Sequence, residues 1–200
     1  MLTSEMSSQA KEWLSRLGSY HIAIREDAQQ WFACQDPAAM AEYLAAALEN
    51  REFGSVARSQ ILHLLGYFAQ AVSFSVVAET LDQALIMNDF MVIRSAIQSL
   101  QAINTEEAAH KLIQLLTHSD EDVVKQVVIA LGVMKNESAI EPLFSILSQN
   151  SEFVRFTIVD ALLGYDKKSV NERLHQHYTV ETAPEVRDLI KNAGILSPIS

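Results

Sequence analysis

The sequence predicts an all-α fold, an α-α superhelix (solenoid) of about five to six antiparallel helix pairs. Three observations carry this. Apolar residues recur with helical spacing, no stretch alternates with period two over a strand's length, and one helical pattern returns roughly every 32 residues. Composition agrees, since 6 Gly and 4 Pro in 200 residues is too few for a turn-rich sandwich or barrel. With 49% apolar and 20% charged residues, the chain can bury a core.

Residues 1–19 precede the first repeat, and Trp13, Leu14 and Leu17 suggest a helix capping an open apolar end. Residues 20–196 hold the repeats. Six segments share apolar or basic anchors followed by small or branched residues at +3 and mostly apolar ones at +6 and +7, as in Val154-Arg155, Ile158 and Ala161-Leu162. The anchors fall at 25, 58, 93, 124, 155 and 187, giving steps of 33, 35, 31, 31 and 32. Offsets −1, 0, +3 and +7 lie on one side of a helix. A second set alternates with these: Met40, Leu44 and Leu48 after an Asp36-Pro37 start; Val77, Leu81 and Leu85; Ala108, Leu112 and Leu115; Leu143 and Ile146; Val170, Leu174 and Tyr178. Residues 197–200 read as a tail beyond a single repeat domain.

The formal charge is −10, split evenly as −5 in each hundred residues, so phosphate-rich nucleic acid is a poor partner. The start of the chain has no basic and apolar signal segment, and the longest clean apolar run, Val127 to Met134, is too short for a bilayer span. One cysteine excludes an internal disulfide framework. These features predict a cytoplasmic protein without membrane contact. Cys34 itself reads as a small buried hydrophobe at a helix end.

Val123 with Ala130-Leu131-Gly132, Val154-Arg155 with Ala161-Leu162, and the run Ala139-Ile140-Glu141-Pro142-Leu143 resemble HEAT repeats. They are most similar to the short repeats of the phycobilisome-lyase (bilin lyase) type, whose second helix reads V-R-x-x-A-x-x-A-L-G. The resemblance spans about residues 20–196 and implies the solenoid. The family arginine stands at 25, 58, 155 and 187, but Ile93 and Val124 replace it, with Arg94 and Lys125 one position later. Deoxyhypusine hydroxylases share this architecture and bind iron through His-Glu dipeptides, and no His here precedes Glu. No Gly-rich phosphate loop, G-x-S-x-G or His-Glu-x-x-His motif occurs either. His175 and His177 are two apart and point to different sides of a helix. We therefore expect no catalytic residues, no metal site and no cofactor.

Offsets +1 and +5 point away from the buried side of the anchor helices, and the resemblance places them on the concave face. The +1 series is Glu26, Ser59, Arg94, Lys125, Phe156 and Asp188; the +5 series is Gln30, His63, Gln98, Ile129, Asp160 and Asn192. His63, Arg94, Gln98, Lys125, Ile129, Phe156, Asp160 and Asp188 are thus the candidate partner-binding residues: two cations beside exposed apolar groups, with two carboxylates further along. Tyr20, Phe53, Phe90 and Phe153 are expected to fill wedges between stacked pairs. These readings predict a non-enzymatic scaffold binding a protein or peptide, with self-association through the C-terminal end as a further expectation. The alternative that the resemblance implies is a bilin lyase-like factor handling an open-chain tetrapyrrole on a phycobiliprotein.

Overall fold

Helix ends leave backbone N–H and C=O groups without intrahelical partners, and short polar side chains here take them up. Asp36 accepts from Ala39 N at 2.8 Å, Asp89 from Val92 N at 3.3 Å, and Asp120 from Asp122 N at 2.8 Å. At the other ends, Asn88, Asn104, Lys135 and Asp166 turn the chain with φ of 52°, 50°, 51° and 48°. In a glycine-poor chain, two Asn, a Lys and an Asp thus take left-handed positions that Gly most often fills. A computed structural model of the chain describes residues 4–49, 53–69 and 74–195.

The described residues form twelve α-helices and no strand. They are α1 (Ser4–Leu17), α2 (Ile22–Ala33), α3 (Pro37–Glu49), α4 (Ser55–Tyr67), α5 (Phe74–Met87) and α6 (Phe90–Ile103). Then follow α7 (Glu106–Ile113), α8 (Glu121–Met134), α9 (Ile140–Leu147), α10 (Glu152–Leu163), α11 (Lys168–Tyr178) and α12 (Pro184–Asn192). The six anchors fall on the even-numbered helices α2 to α12. The tail expected at 197–200 lies outside the described residues, as does most of the C-terminal end expected to self-associate.

The helices gather into two compact units, Met1–Ala108 and Ala109–Ser200. In the first, α4 packs between α2 and α6, α3 packs on α4 and α5, α5 packs on α6, and α1 lies on α2 and α4. Ala10, Leu14 and Leu17 of α1 are buried, and Trp13 stacks on Trp31 with ring centroids 5.9 Å apart. In the second unit α10 packs between α8 and α12, with α9 and α11 against it. The anchor helices bury the predicted stripe, for example Val154, Ile158, Ala161 and Leu162 in α10. After α7 the chain tightens into a 3₁₀ turn, Gln114–Thr117, and it is Leu116 rather than Leu115 that is buried.

Neighbouring anchor helices approach closely at one repeated place. A β-carbon on Gly66 of α4 would lie 3.3 Å from Ser99 Cα of α6. On Gly132 of α8 it would meet Ala161 Cβ of α10 at 2.8 Å and its Cα at 3.0 Å. Both glycines follow their anchor by the same offset, and both face a small residue, so a glycine at this offset acts as a close-contact device. Ser99, fully enclosed, uses the contact to donate its hydroxyl to Leu62 O of α4. In the second unit, the buried Tyr165 hydroxyl lies 3.1 Å from Leu131 O and 3.0 Å from Asn136 O, bracing the end of α8, and burial pushes its pKa up to about 12.

Cys34 is exposed, contrary to the sequence expectation. It follows the last residue of α2 and sits about 200° around the helix from the buried Phe32, off the apolar stripe. Lys135 carries a testable cost, because a left-handed backbone with a β-carbon is disfavoured by about 1 kcal/mol. Lys135→Gly is expected to stabilise the second unit by about 0.5 kcal/mol, net of the entropy glycine adds to the unfolded chain. Chemical denaturation should show a higher midpoint; a lower one would mean that the left-handed turn is not strained.

Candidate functional site

In the first unit the +1 and +5 side of α6 borders a groove of about 760 Å³. Tyr20, Arg25, Gln60, Phe90, Met91, Arg94 and Gln98 are among its lining residues. Local bonding sets its walls. Asp89 caps α6 and also accepts from Ser55 Oγ at 2.6 Å, fixing where Phe90 and Met91 begin the helix. Arg25 Nη1 donates to Ser19 O at 2.7 Å, bracing the turn that carries Tyr20. Gln29 Nε2 donates to Gln60 Oε1 at 2.6 Å, joining α2 to α4, and the Ser59 and Ser95 hydroxyls pair at 2.7 Å across α4 and α6. Arg94 makes no ion pair among the described residues.

Of the residues expected in this unit, Arg94 and Gln98 are exposed and line the groove. His63 is exposed on α4 but is not among the groove's lining residues. Ser59, read as outward-facing, is buried, because its bond to Ser95 draws it between the helices. The wedge expectation fails for Tyr20 and Phe90, which are 88% and 54% exposed, and Met91 beside them is 49% exposed. The wheel explains this. Taking about 100° per residue from the anchor, offsets −3, −2, +1 and +5 all fall within roughly 60–160°, on one side. Phe90 and Met91 occupy −3 and −2 of α6, so the same periodicity that found Arg94 could have found them.

In the second unit Ile129 of α8, Phe156 and Asp160 of α10, and Asp188 of α12 are exposed. Val133 and Phe153, by the same wheel arithmetic, share the side of Ile129 and Phe156, and both are exposed, so Phe153 too fills no wedge. Lys125 is only half-exposed, and its ammonium lies 2.6 Å from Asp122 Oδ1. That hydrogen bond, with the nearby carboxylates, holds its pKa above the ordinary lysine value. The charge expected to be free at Lys125 is therefore matched within its own helix turn. Behind this face Arg155, at its anchor, reaches the turn before α12: Nε and Nη2 donate to Glu181 at 3.0 and 2.7 Å, and Nη1 to Asn150 O at 3.0 Å.

Among the described residues no group of three or more His, Cys, Asp or Glu side chains could hold a metal ion. None of the described helices is long and apolar enough to cross a membrane.

The chain resembles a solved structure, the complex of CpcE and CpcF of phycocyanin lyase from Nostoc sp. PCC7120, with a TM-score of 0.54 at 20% identity. The match covers 96% of this chain and 76% of that one, and supports a common fold. No curated protein matches the chain. The model of the HEAT repeats matches residues 41–132 and 110–193, a span running from α3 through α12. Helix pairs in the observed order, a recurring anchor and this match together place the chain in the HEAT-repeat family.

Proposed function

We propose that the chain is a non-enzymatic scaffold or adaptor that binds a protein or peptide through the +1 and +5 side of its anchor helices. The observation that carries this is the gathering of large apolar side chains on that side: Tyr20, Phe90 and Met91 in the first unit, Ile129, Phe153 and Phe156 in the second. Water gains nothing from exposed rings grouped in this way, and such groups mark docking surfaces. Aromatic residues and arginine also dominate the energetics of protein interfaces, and Arg94 stands beside Phe90 and Met91 in the groove.

The test is co-purification of the tagged chain from its native host, compared with a Phe90→Ala, Arg94→Glu, Phe156→Ala variant. A stoichiometric partner is expected with the parent chain and a loss of about tenfold or more with the variant. If a variant with unchanged helicity and midpoint keeps the partner, the reading is wrong. The likeness to a phycocyanin lyase complex favours a second reading, a bilin-handling factor acting on a phycobiliprotein. Mixing the chain with an open-chain tetrapyrrole separates the two. The scaffold reading expects an unchanged visible spectrum; a red-shifted, intensified band would favour pigment binding.

A further inference from the structure

We infer that the groove of the first unit takes an acidic peptide segment carrying an aromatic or large aliphatic side chain. This rests on the protein-binding reading and adds the chemistry of the partner. The distribution of charge is what commits it. Residues 1–108 contain six basic and thirteen acidic side chains, yet among the described residues two basic ones, Arg25 and Arg94, line the groove and no acidic one does. Random placement in so acidic a segment would put carboxylates there first. A chain with a net charge of −10 has instead kept one opening positive.

The two arginines differ in what they have left to give. Arg25 commits Nη1 to Ser19 O, which fixes the guanidinium at the mouth of the groove. Arg94 has no ion-pair partner among the described residues, so its planar fork of donors is open to a carboxylate in two-point geometry. Gln98, one turn further along α6, adds an uncharged donor and acceptor. Tyr20, Phe90 and Met91 supply the apolar part of the same opening. An aromatic or aliphatic side chain laid on them removes water from both surfaces and lowers the dielectric around the Arg94–carboxylate pair. Nucleic acid offers anion and ring as well, but two cations supply few of the phosphate contacts that such binding needs, and the rest of the unit repels a phosphate backbone.

The experiment selects a random-peptide display library on the immobilised full chain. Enriched peptides are expected to be net acidic with Phe, Tyr, Trp or Leu beside Asp or Glu. A labelled consensus peptide should then bind in fluorescence anisotropy and weaken as salt rises. Arg94→Glu and Phe90→Ala should each lower its affinity by about tenfold, with Arg94→Lys in between. Glu79→Gln, on the exposed side of α5 away from the groove, should leave it unchanged. Unchanged thermal midpoints show that each variant is folded. Enrichment of basic or uncharged peptides, no enrichment, or an Arg94→Glu variant that binds as well as the parent would overturn the inference. If any of these occurs while the native partner is still lost from the triple variant, binding on this side stands and only the acidic partner falls. If the native partner also survives the triple variant, both fall.

Discussion

Glu181→Ala is expected to destabilise the second unit by about 3–5 kcal/mol, the cost of stranding a buried charge. The carboxylate is 2% exposed and accepts from Arg155 at 2.7 and 3.0 Å, from His177 Nε2 at 2.8 Å, and from the backbone N–H groups of Thr182 and Ala183, each at 2.8 Å. Removing it leaves the Arg155 guanidinium unpaired and two backbone donors unsatisfied at the start of α12. The same geometry fixes a pH dependence. Burial alone would raise the Glu181 pKa, but the hydrogen bonds from Arg155, Ala183 N and His177 outweigh it and hold the group at about 2. Because this folded value lies below the unfolded one, the stabilisation is complete above about pH 5 and is lost as pH falls toward 2. At roughly 1.36 kcal/mol per unit this amounts to about 3 kcal/mol. Denaturant midpoints measured from pH 7 down to the acid limit should fall through that window, and Glu181→Gln should flatten the fall. An equally steep fall in the Gln variant would assign the acid sensitivity elsewhere.

Gly132→Leu is the other change with a large expected effect. At this site even a β-carbon meets Ala161 Cβ at 2.8 Å and Cα at 3.0 Å, and neither can swing aside, because both belong to the body of α10. The two helices would have to separate, loosening the packing of α8 on α10, whose buried residues include Val128 and Leu131 on one and Ile158 and Leu162 on the other. Overpacking of this kind costs about 1–3 kcal/mol, well above the roughly 1 kcal/mol that leaving glycine returns in helix propensity. The thermal midpoint should drop by several degrees. A Gly132→Leu chain as stable as the parent would show that the close approach of α8 and α10 is not needed.

How much of this the sequence disclosed follows from which forces are periodic. Burial of a helix face repeats with the helix, so the anchors at 25, 58, 93, 124, 155 and 187 located the six anchor helices and their buried sides. Aspartate caps are local, so the Asp36-Pro37 start of α3 was legible too. The outward side was harder because its fate depends on neighbours. Ser59 and Arg94 share offset +1, yet one is drawn into a serine pair and the other stays free. Lys125 shares that offset as well, and Asp122, three residues earlier on the same helix, matches its charge. Aromatic residue type alone points Tyr20, Phe90 and Phe153 to wedges, whereas the wheel puts Phe90 and Phe153 on the open side. The division into two units has no mark in the repeat pattern, which continues unbroken through α7.

Partners that bind the +1 and +5 side of the anchor helices approach the face carrying Met91, not the exposed side of α5 carrying Glu79. Site-specific photocrosslinking in the native host tests this directly, with the crosslinking residue placed at Met91 in one chain and at Glu79 of α5 in another. A discrete crosslinked protein is expected from position 91 and none from position 79. A partner trapped at 79 and absent at 91 would contradict it.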